Sequence, residues 1–311
     1  MLATRLISLL PLLFLVSLLT FSLTALLPQE PAALKVGDNA TPEALHEARK
    51  ELGTDRPWVV QYGDWAGNAV TGDLGHSYFS SVPVTRQIGD RIGITLSLTA
   101  VALLISIIVG VGAGILAAVY RGSPIDRVAT VGASIGTATP AFWLAMFLAS
   151  QFAVRWHIFD ATGYVRPSES ISGWLKSLVM PATALGLAGA ATLARQTRSA
   201  MIGVLGREYV RTALASGLPR RKVITRYALK NALGPVLTVL GFQVTFLIGS
   251  SFVVEKVFGI EGLGSLAVNA VLRHDAPVIQ GLVIVIAIVV VVVNLLLDML
   301  YGWVNPKVRA S

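Results

Sequence analysis

Long apolar stretches separated by shorter polar segments dominate this chain. A helix of about 20 residues covers the ~30 Å hydrocarbon core of a bilayer, and it satisfies its own backbone hydrogen bonds there. The pattern therefore predicts an all-α membrane protein with six spans, of which the fourth is the shortest. They cover about residues 6–27, 94–119, 128–154, 178–193, 236–254 and 278–297.

The first stretch has a second interpretation, a cleaved signal peptide with Arg5 as its basic flank. The stretch is longer than the 7 to 15 apolar residues of a signal peptide, and no A-x-A cleavage pattern follows it before Pro28. Its length favours a retained transmembrane helix.

The composition agrees with a bilayer environment. Of the 311 residues, 54% are hydrophobic and 14% are charged, which is well below the roughly one quarter of charged residues in soluble domains. The mean hydropathy is +0.69. The absence of cysteine excludes disulfides, thiolate nucleophiles and Cys-based metal sites.

The formal net charge of +8 is distributed unevenly between the two faces of the predicted protein. One face holds the N-terminus, residues 120–127, residues 194–235 and the C-terminus, with fourteen Lys and Arg against only Asp126 and Glu208. Such a bias in short loops predicts that this face and both termini are cytoplasmic. Topology explains the basic residues, so we expect no nucleic-acid binding.

Residues 28–93 form the predicted extracytoplasmic segment. TPEALHEARKELG reads as a short amphipathic helix with Thr41 as its N-cap and Gly53 at its end. WVVQYGDWAGNAVTGDLGHSY reads as a turn-rich cap on the membrane surface. Its aromatic residues fit an interfacial belt, and a docking surface for an external partner is the alternative. They are Trp58, Tyr62, Trp65 and Tyr78.

Small residues and one proline within the spans bear on helix packing. The GxxxG pairs Gly110 with Gly114, and Gly132 with Gly136, predict close helix contacts in the second and third spans. Pro140 lacks a backbone N–H and predicts a kink in the third span.

The sequence contains no pattern that predicts catalysis, a cofactor site or a metal site in this chain. The four histidines are scattered without ligand spacing, and no Walker loop is present. An ion-coupled secondary transporter is the rival interpretation, and it usually needs ionisable groups near the bilayer midplane. Asp298 is the only acid within a predicted span, and we expect it to be an interfacial carboxylate.

Residues 208–234 predict a helix, a turn at SGLP and a second helix between two spans. Gly217 suits a left-handed turn, and Pro219 suits the start of the second helix. The segment combines apolar positions at helical spacing with a cluster of basic residues. It could dock into a groove on a cytoplasmic partner or rest on anionic lipid, and the physical argument does not separate the two.

The residues EYVRTALASGLPRRKVITRYALKNALGPVLT resemble the cytoplasmic coupling loop, or EAA loop, of membrane subunits in the dipeptide and oligopeptide branch of ABC importers. The resemblance extends to QYGDWAGNAVTGDLGHSY, TPAFWLAMFL, VEKVFGIEGLG and DMLYGWVNPKVR, and so covers nearly the whole chain. It implies a type I importer permease fold with an extracytoplasmic domain after the first helix.

The loop departs from the generic EAA pattern. Arg211 and Thr212 stand at the Glu and first Ala positions, whereas Ala213 and Gly217 match, and the I-x-L-P ending is missing. The resemblance implies that Ala213 lets the first helix lie close to the ATPase groove. The residues expected to couple to the ATPase are Arg211, Thr212, Ala213, Gly217, Arg220, Arg221, Arg226 and Asn231.

The resemblance implies a non-catalytic permease subunit of an ATP-driven peptide importer. Its expected partners are a second homologous permease, cytoplasmic subunits that bind ATP and magnesium, an external solute-binding protein and lipid. Nickel chelates and glutathione are alternative solutes within the same branch. The expected domains are an N-terminal helix at 1–27, the external segment at 28–93, a core at 94–303 that includes the coupling loop at 206–235, and a tail at 304–311.

Overall fold

A computed structural model describes residues 2–25, 31–37, 40–80 and 82–304, with side chains from Pro11 onward. The side chains of Ala25, Leu34, Asp298 and all residues from Leu300 lie outside the described set, so the expectations for Asp298 and for the C-terminal tail are not addressed. The described residues form helices and no sheet. We number the helices α1 Leu2–Ala25, α2 Pro31–Val36, α3 Pro42–Leu52, α4 Trp58–Val70, α5 Val84–Val119, α6 Pro124–Ala138, α7 Ala141–Arg155, α8 Ile171–Leu205, α9 Glu208–Ala215, α10 Arg220–Val257, α11 Leu263–Leu272 and α12 Ala276–Val304.

Four of these helices, α5, α8, α10 and α12, are long and apolar enough to cross a membrane. A fifth span exists if the bent pair α6 and α7 is counted as one. Over its described side chains, Pro11–Thr24, α1 belongs to the shorter apolar helices. The predicted all-α polytopic fold is confirmed, with helices at all six apolar stretches.

The chain divides into two compact units. One contains the described residues up to Gly93 together with Gly262–Val291, and the other contains Ile94–Glu261 and the described residues from Val292. The sequence had assigned 262–291 to the core, whereas these residues cluster with the N-terminal unit.

Helix α8 is the central helix of the second unit. In the most apolar part of α8, 67% of the residues are buried, although its apolar stretch is the shortest of the six in the sequence. Gly110 and Gly114 of α5 lie against α8. A Cβ atom added to Gly110 would come 2.7 Å from the Ala190 carbonyl oxygen, and one added to Gly114 would come 2.7 Å from the Ala194 carbonyl oxygen. The predicted close packing of this pair is confirmed.

The second small-residue pair behaves differently. A Cβ at Gly136 would meet Ala191 Cβ at 2.9 Å, but a Cβ at Gly132 would meet nothing within 4 Å. Only Gly136 therefore makes a close contact with α8.

The chain bends by 100° between α6 and α7. Thr139 and Pro140 are both extended, with ψ angles of 119° and 137°, because a proline ring disfavours the helical region for the residue before it. The predicted kink is thus a full break of the third span.

In the N-terminal unit, α3 has the predicted ends. Thr41 Oγ1 accepts a hydrogen bond from Ala44 N at 3.3 Å, and Gly53 ends the helix with a φ of +67°. The expectation for the next segment was wrong, because Trp58–Val70 is a continuous helix, α4. Glycines at 63 and 67 are tolerated there because aromatic packing outweighs their low helix propensity.

The aromatic face of α4 packs on α1. Phe21 is 8% exposed, and its ring lies 5.8, 5.4 and 6.0 Å from those of Trp58, Tyr62 and Trp65. These three residues therefore form a packed cluster with α1, which neither interpretation of the sequence had described.

Tyr78 belongs to a different group of contacts. Asp275 is buried, accepts a hydrogen bond from Ser77 Oγ at 2.5 Å and accepts one from the Tyr78 backbone N–H at 3.2 Å. Burial, and to a lesser degree the Asp275 carboxylate, raises the pKa of the Tyr78 hydroxyl to about 12. The loop after α4 is thereby fixed to the start of α12.

Candidate coupling surface

The predicted helix-turn-helix lies between α8 and the span formed by α10. Helix α9, Glu208–Ala215, is the first helix. The second is not a separate helix, because Arg220 begins the continuous 38-residue helix α10. The second predicted helix and the span that follows it therefore form one element, with a wider π-helical turn at Val223–Ala228.

Helix α9 is held in place by an apolar cluster within its own unit. Val210 is 1% exposed and belongs to the same buried cluster as Met201 and Val204 of α8 and Val223 and Ala228 of α10. Burying one valine side chain stabilises a fold by roughly 1.5–3 kcal/mol. Helix α9 is therefore anchored along one side and open along the other.

The exposed side of α9 carries Glu208, Arg211, Thr212 and Ala215. Their spacing of i, i+3, i+4 and i+7 places them on one helical face. Thr212 Oγ1 donates to the Glu208 carbonyl at 3.1 Å, so its hydroxyl is engaged with its own helix and the face is small and flat at that point.

Ala213, which the resemblance places close to the ATPase groove, is half-buried and packs against the cluster around Val210. Its expected contact with the ATPase stays a prediction. Ala215 is the small residue on the exposed face of α9. The helical spacing from Arg211 and Thr212 could have identified Ala215 from the sequence, but the match to the EAA pattern drew attention to Ala213.

The basic residues of the segment differ in their surroundings. Arg220 donates from Nη2 to the Val119 carbonyl oxygen at 3.3 Å, so it links the start of α10 to the end of α5. Arg221 and Arg226 are exposed. Asn231 donates from Nδ2 to the Tyr227 carbonyl at 2.7 Å and is thus bonded to its own helix.

Gly217 makes the turn between α9 and α10. Its φ is +79°, and a Cβ atom placed on it would meet nothing within 4 Å. The backbone conformation, and not a lack of space, therefore accounts for glycine at this position. The predicted left-handed turn is confirmed.

An ion pair between the buried carboxylate of Asp126 and the partly exposed Arg198 supports the helix that leads into this surface. Asp126 is 5% exposed, and its carboxylate accepts hydrogen bonds from Arg198 Nε at 2.5 Å and Arg198 Nη2 at 2.9 Å. It also accepts one from Gly122 N at 2.9 Å. The pair ties the first turn of α6 to α8, whereas the sequence had placed both residues among the loop charges.

A second buried acid lies just beyond the fifth predicted span. Helix α10 continues to Val257, and Glu255 within it is fully buried and accepts a hydrogen bond from Thr95 Oγ1 at 2.7 Å. A carboxylate so placed links α5 to α10. The fifth apolar stretch ends at residue 254 in the sequence, which is why Glu255 was assigned outside it.

Across the part of the chain that the structure describes, no group of three or more His, Asp or Glu side chains could hold a metal ion. The candidate coupling surface is the exposed side of α9 together with Arg221 and Arg226 of α10. It combines exposed cations with a short helix anchored by its apolar face. Such a surface can dock on a complementary protein and transmit displacement to the helices joined to it.

Two family models match the chain and together cover almost its whole length. Residues 110–310 match the model described as the binding-protein-dependent transport system inner membrane component. Residues 1–99 match the model of the N-terminal part of such membrane components.

Relatives of similar length are found among transport proteins. A protein of Brucella abortus (strain 2308), named as a peptide transport system permease, is 42% identical over 299 residues, which cover 96% of this chain and 95% of that protein. The glutathione transport system permease protein GsiC of Escherichia coli (strain K12) is 39% identical over 305 residues, covering 98% and 97%.

Solved structures show the same fold. A chain of the MetNI methionine ABC transporter, in an inward-facing conformation, aligns with a TM-score of 0.61 at 18% identity and covers 73% of this chain and 100% of that one. The helical core described above is therefore the fold of an ABC transporter membrane subunit.

Proposed function

We infer the function of this chain from its family, since it belongs to the binding-protein-dependent transport system inner membrane components. It is a permease subunit of an ATP-driven importer, and its solute is a peptide. The ion-coupled secondary transporter, considered on the sequence alone, is excluded by the family.

The observation that carries the coupling role is the anchored and exposed helix α9. Its inner side packs on α8 and α10, and its outer side presents Arg211, Thr212 and Ala215. We propose that this outer side docks into a groove on a cytoplasmic ATPase. Exposed Arg221 and Arg226 would meet acidic residues at the rim of that groove.

The same proposal assigns the chemistry to other chains. ATP and magnesium bind to the ATPase, and this subunit performs no hydrolysis. A second homologous permease completes the translocation path, and an external solute-binding protein delivers the ligand. Both termini and the loop at 206–235 are cytoplasmic, while residues 28–93 face the opposite side, as the charge bias favours.

Transmission follows from how the helices are connected. Closure of the ATPases on ATP would displace α9, and its contacts with α8 and α10 would carry that displacement into the spans. Import is driven because the nucleotide-bound ATPases bind one state of the permease more tightly than the other.

Glutathione is a second candidate solute, because GsiC is 39% identical to this chain. Glutathione is itself a short peptide with one γ-linkage. The two candidates differ in backbone connectivity, and a competition experiment can separate them.

The test is uptake by proteoliposomes that contain the complete importer and its binding protein. We expect ATP-dependent accumulation of a labelled tripeptide such as Ala-Phe-Ala, and none with a non-hydrolysable nucleotide. Competition by glutathione but not by α-linked peptides would assign the second solute. Failure of both to accumulate with an active ATPase would refute the peptide assignment.

A separate test addresses docking. Ala215→Trp places a bulky side chain on the outer side of α9 and should reduce co-purification of the ATPase. Val70→Trp is the matched control, because Val70 is 89% exposed at the end of α4, outside the coupling surface. Equal recovery of the ATPase with both variants would contradict docking through this face.

A further inference from the structure

The N-terminal unit contains a solvent-open cavity of about 1070 Å³. Its walls come from four parts of that unit: α1, the α2–α4 segment, the loop after α4 and the start of α12. Small-molecule sites usually occupy about 300–1,000 Å³, so this cavity is large enough for a short peptide. Among its lining residues are Phe21, Lys35, Trp58, Trp65, Tyr78 and Gln280.

One wall of the cavity is aromatic and firmly packed. Trp58 and Trp65 both line it, and both pack against the buried ring of Phe21. Tyr62 stacks on Trp58 at a centroid distance of 6.0 Å and an interplanar angle of 8°. The wall is therefore a preorganised aromatic surface, suited to an aromatic or aliphatic side chain.

The indole Nε1–H of Trp65 is buried and has no hydrogen-bond partner among the described residues. Because this atom has no exposed surface, Trp65 presents the carbon atoms of its ring, and not its N–H group, to the cavity.

The charges that line the cavity come in neutral pairs. Lys35 Nζ lies 2.7 Å from Glu51 Oε1, and Arg56 Nη1 lies 2.5 Å from Asp64 Oδ2. The side chains of Arg56 and Asp64 are 50% and 52% exposed, so a ligand can reach them. Paired charges suit a zwitterion, whose ammonium and carboxylate can each find a partner, whereas an anionic lipid headgroup favours an unpaired basic cluster.

We propose that this cavity receives a short zwitterionic peptide on the extracytoplasmic side. An apolar side chain of the peptide lies on Trp58 and Trp65. The ends of the peptide pair with the charged residues at the cavity. The inference rests on the proposed function, because that function makes peptides the solutes presented at this face.

The test uses the assembled importer in nanodiscs, without the binding protein and without ATP. Its probe is the tripeptide Ala-(4-fluoro-Phe)-Ala, observed by the broadening of its ¹⁹F signal as the complex is titrated. We expect saturable binding, weakened roughly three- to tenfold in Trp65→Phe because the smaller ring buries less apolar surface against the probe. Val59→Ala on the same helix should bind as the unchanged protein does, because Val59 is 70% exposed and does not line the cavity.

A second variant guards against a folding defect in Trp65→Phe. Asp64→Asn alters an exposed ion pair, which contributes little to stability, and should weaken binding of the zwitterionic probe. The same probe with acetylated and amidated ends should bind weakly to both the unchanged protein and this variant. Equal affinity for blocked and free peptides would overturn the zwitterion assignment.

The remaining outcomes separate this inference from the proposed function. No broadening by an importer that does accumulate peptide when the binding protein is present would refute the cavity and leave the function standing. A phospholipid retained by the unchanged protein in native mass spectrometry, and lost in Trp65→Phe, would also overturn the inference and identify a lipid site. Absence of peptide accumulation by the complete importer would refute the function itself.

Discussion

Replacing Gly217 tests whether the turn between α9 and α10 transmits the movement of the ATPase. Its φ of +79° lies in the left-handed region, and a Cβ atom would touch nothing within 4 Å. The whole penalty of a substitution is therefore in the backbone, at about 1–2 kcal/mol for an ordinary residue and more for a β-branched one. Asparagine adopts this conformation more readily than other residues that carry a Cβ.

A penalty of 1–2 kcal/mol changes the population of the correctly turned loop by a factor of roughly 5–30. We expect Gly217→Asn to transport almost normally, Gly217→Ala to be reduced several-fold and Gly217→Val to be reduced most. Gly217 is exposed, so insertion and the packing of the spans should be unaffected in all three. The assay is ATP-dependent peptide uptake, with solute-stimulated ATP hydrolysis measured in the same proteoliposomes.

The ranking of the three variants is the decisive result. If side-chain size mattered, Ala would be the mildest change and Asn would resemble Val, which reverses the order expected from backbone conformation. Normal uptake by a well-expressed Gly217→Val protein would refute the reasoning. Poor membrane insertion of that variant would show that the turn has a folding role, and not a coupling role.

Three further predictions concern packing, charge and pH. Gly110→Ala should lower the free energy of unfolding by about 1–3 kcal/mol through overpacking against Ala190 and Leu193, whereas Gly112→Ala should be nearly neutral because a Cβ there meets nothing within 4 Å. Thermal unfolding in detergent compares the two variants, and similar losses of stability would contradict the packing. Asp126→Asn should lower the melting temperature by leaving Arg198 without its charged partner, and the double variant Asp126→Arg with Arg198→Asp should recover part of the loss. A melting temperature unchanged by Asp126→Asn alone would show that the pair is not stabilising. Because the pKa of Tyr78 is raised in the folded protein, the contribution of Tyr78 to the free energy of unfolding is complete below pH 10 and is lost, by about 2–3 kcal/mol, as the pH rises towards 12. Melting temperatures between pH 9 and 11 should therefore fall less steeply in Tyr78→Phe, and equal slopes would refute the assignment.

The spans, the external helix α3 and the turn at Gly217 were predictable because each rests on local information. Apolar length predicts a span, Thr41 and Gly53 mark the ends of α3, and a glycine two residues before a proline predicts a left-handed turn. The break at Pro140 was foreseen as a kink, but its angle of 100° depends on the chain around it.

The errors arose where tertiary contacts outweigh local pattern. Glycines in 58–70 suggested turns, yet packing of Trp58, Tyr62 and Trp65 on Phe21 makes the segment helical. The packing of Ala213 against the cluster around Val210 is likewise absent from the family pattern and is visible only in the contacts of α9. Partners 72 residues apart, such as Asp126 and Arg198, have no signal in a single sequence.

The continuity of α10 has a mechanical consequence. A 38-residue helix is about 57 Å long, nearly twice the ~30 Å thickness of the hydrocarbon core. It begins beside α9, and its last turns hold the buried carboxylate of Glu255. If α9 docks on an ATPase as proposed, a tilt of about 5° at that end would move the far end of a rigid rod of this length by about 5 Å. The helix would then act as a lever that turns a small rotation of the ATPase into a displacement comparable to the width of a peptide backbone.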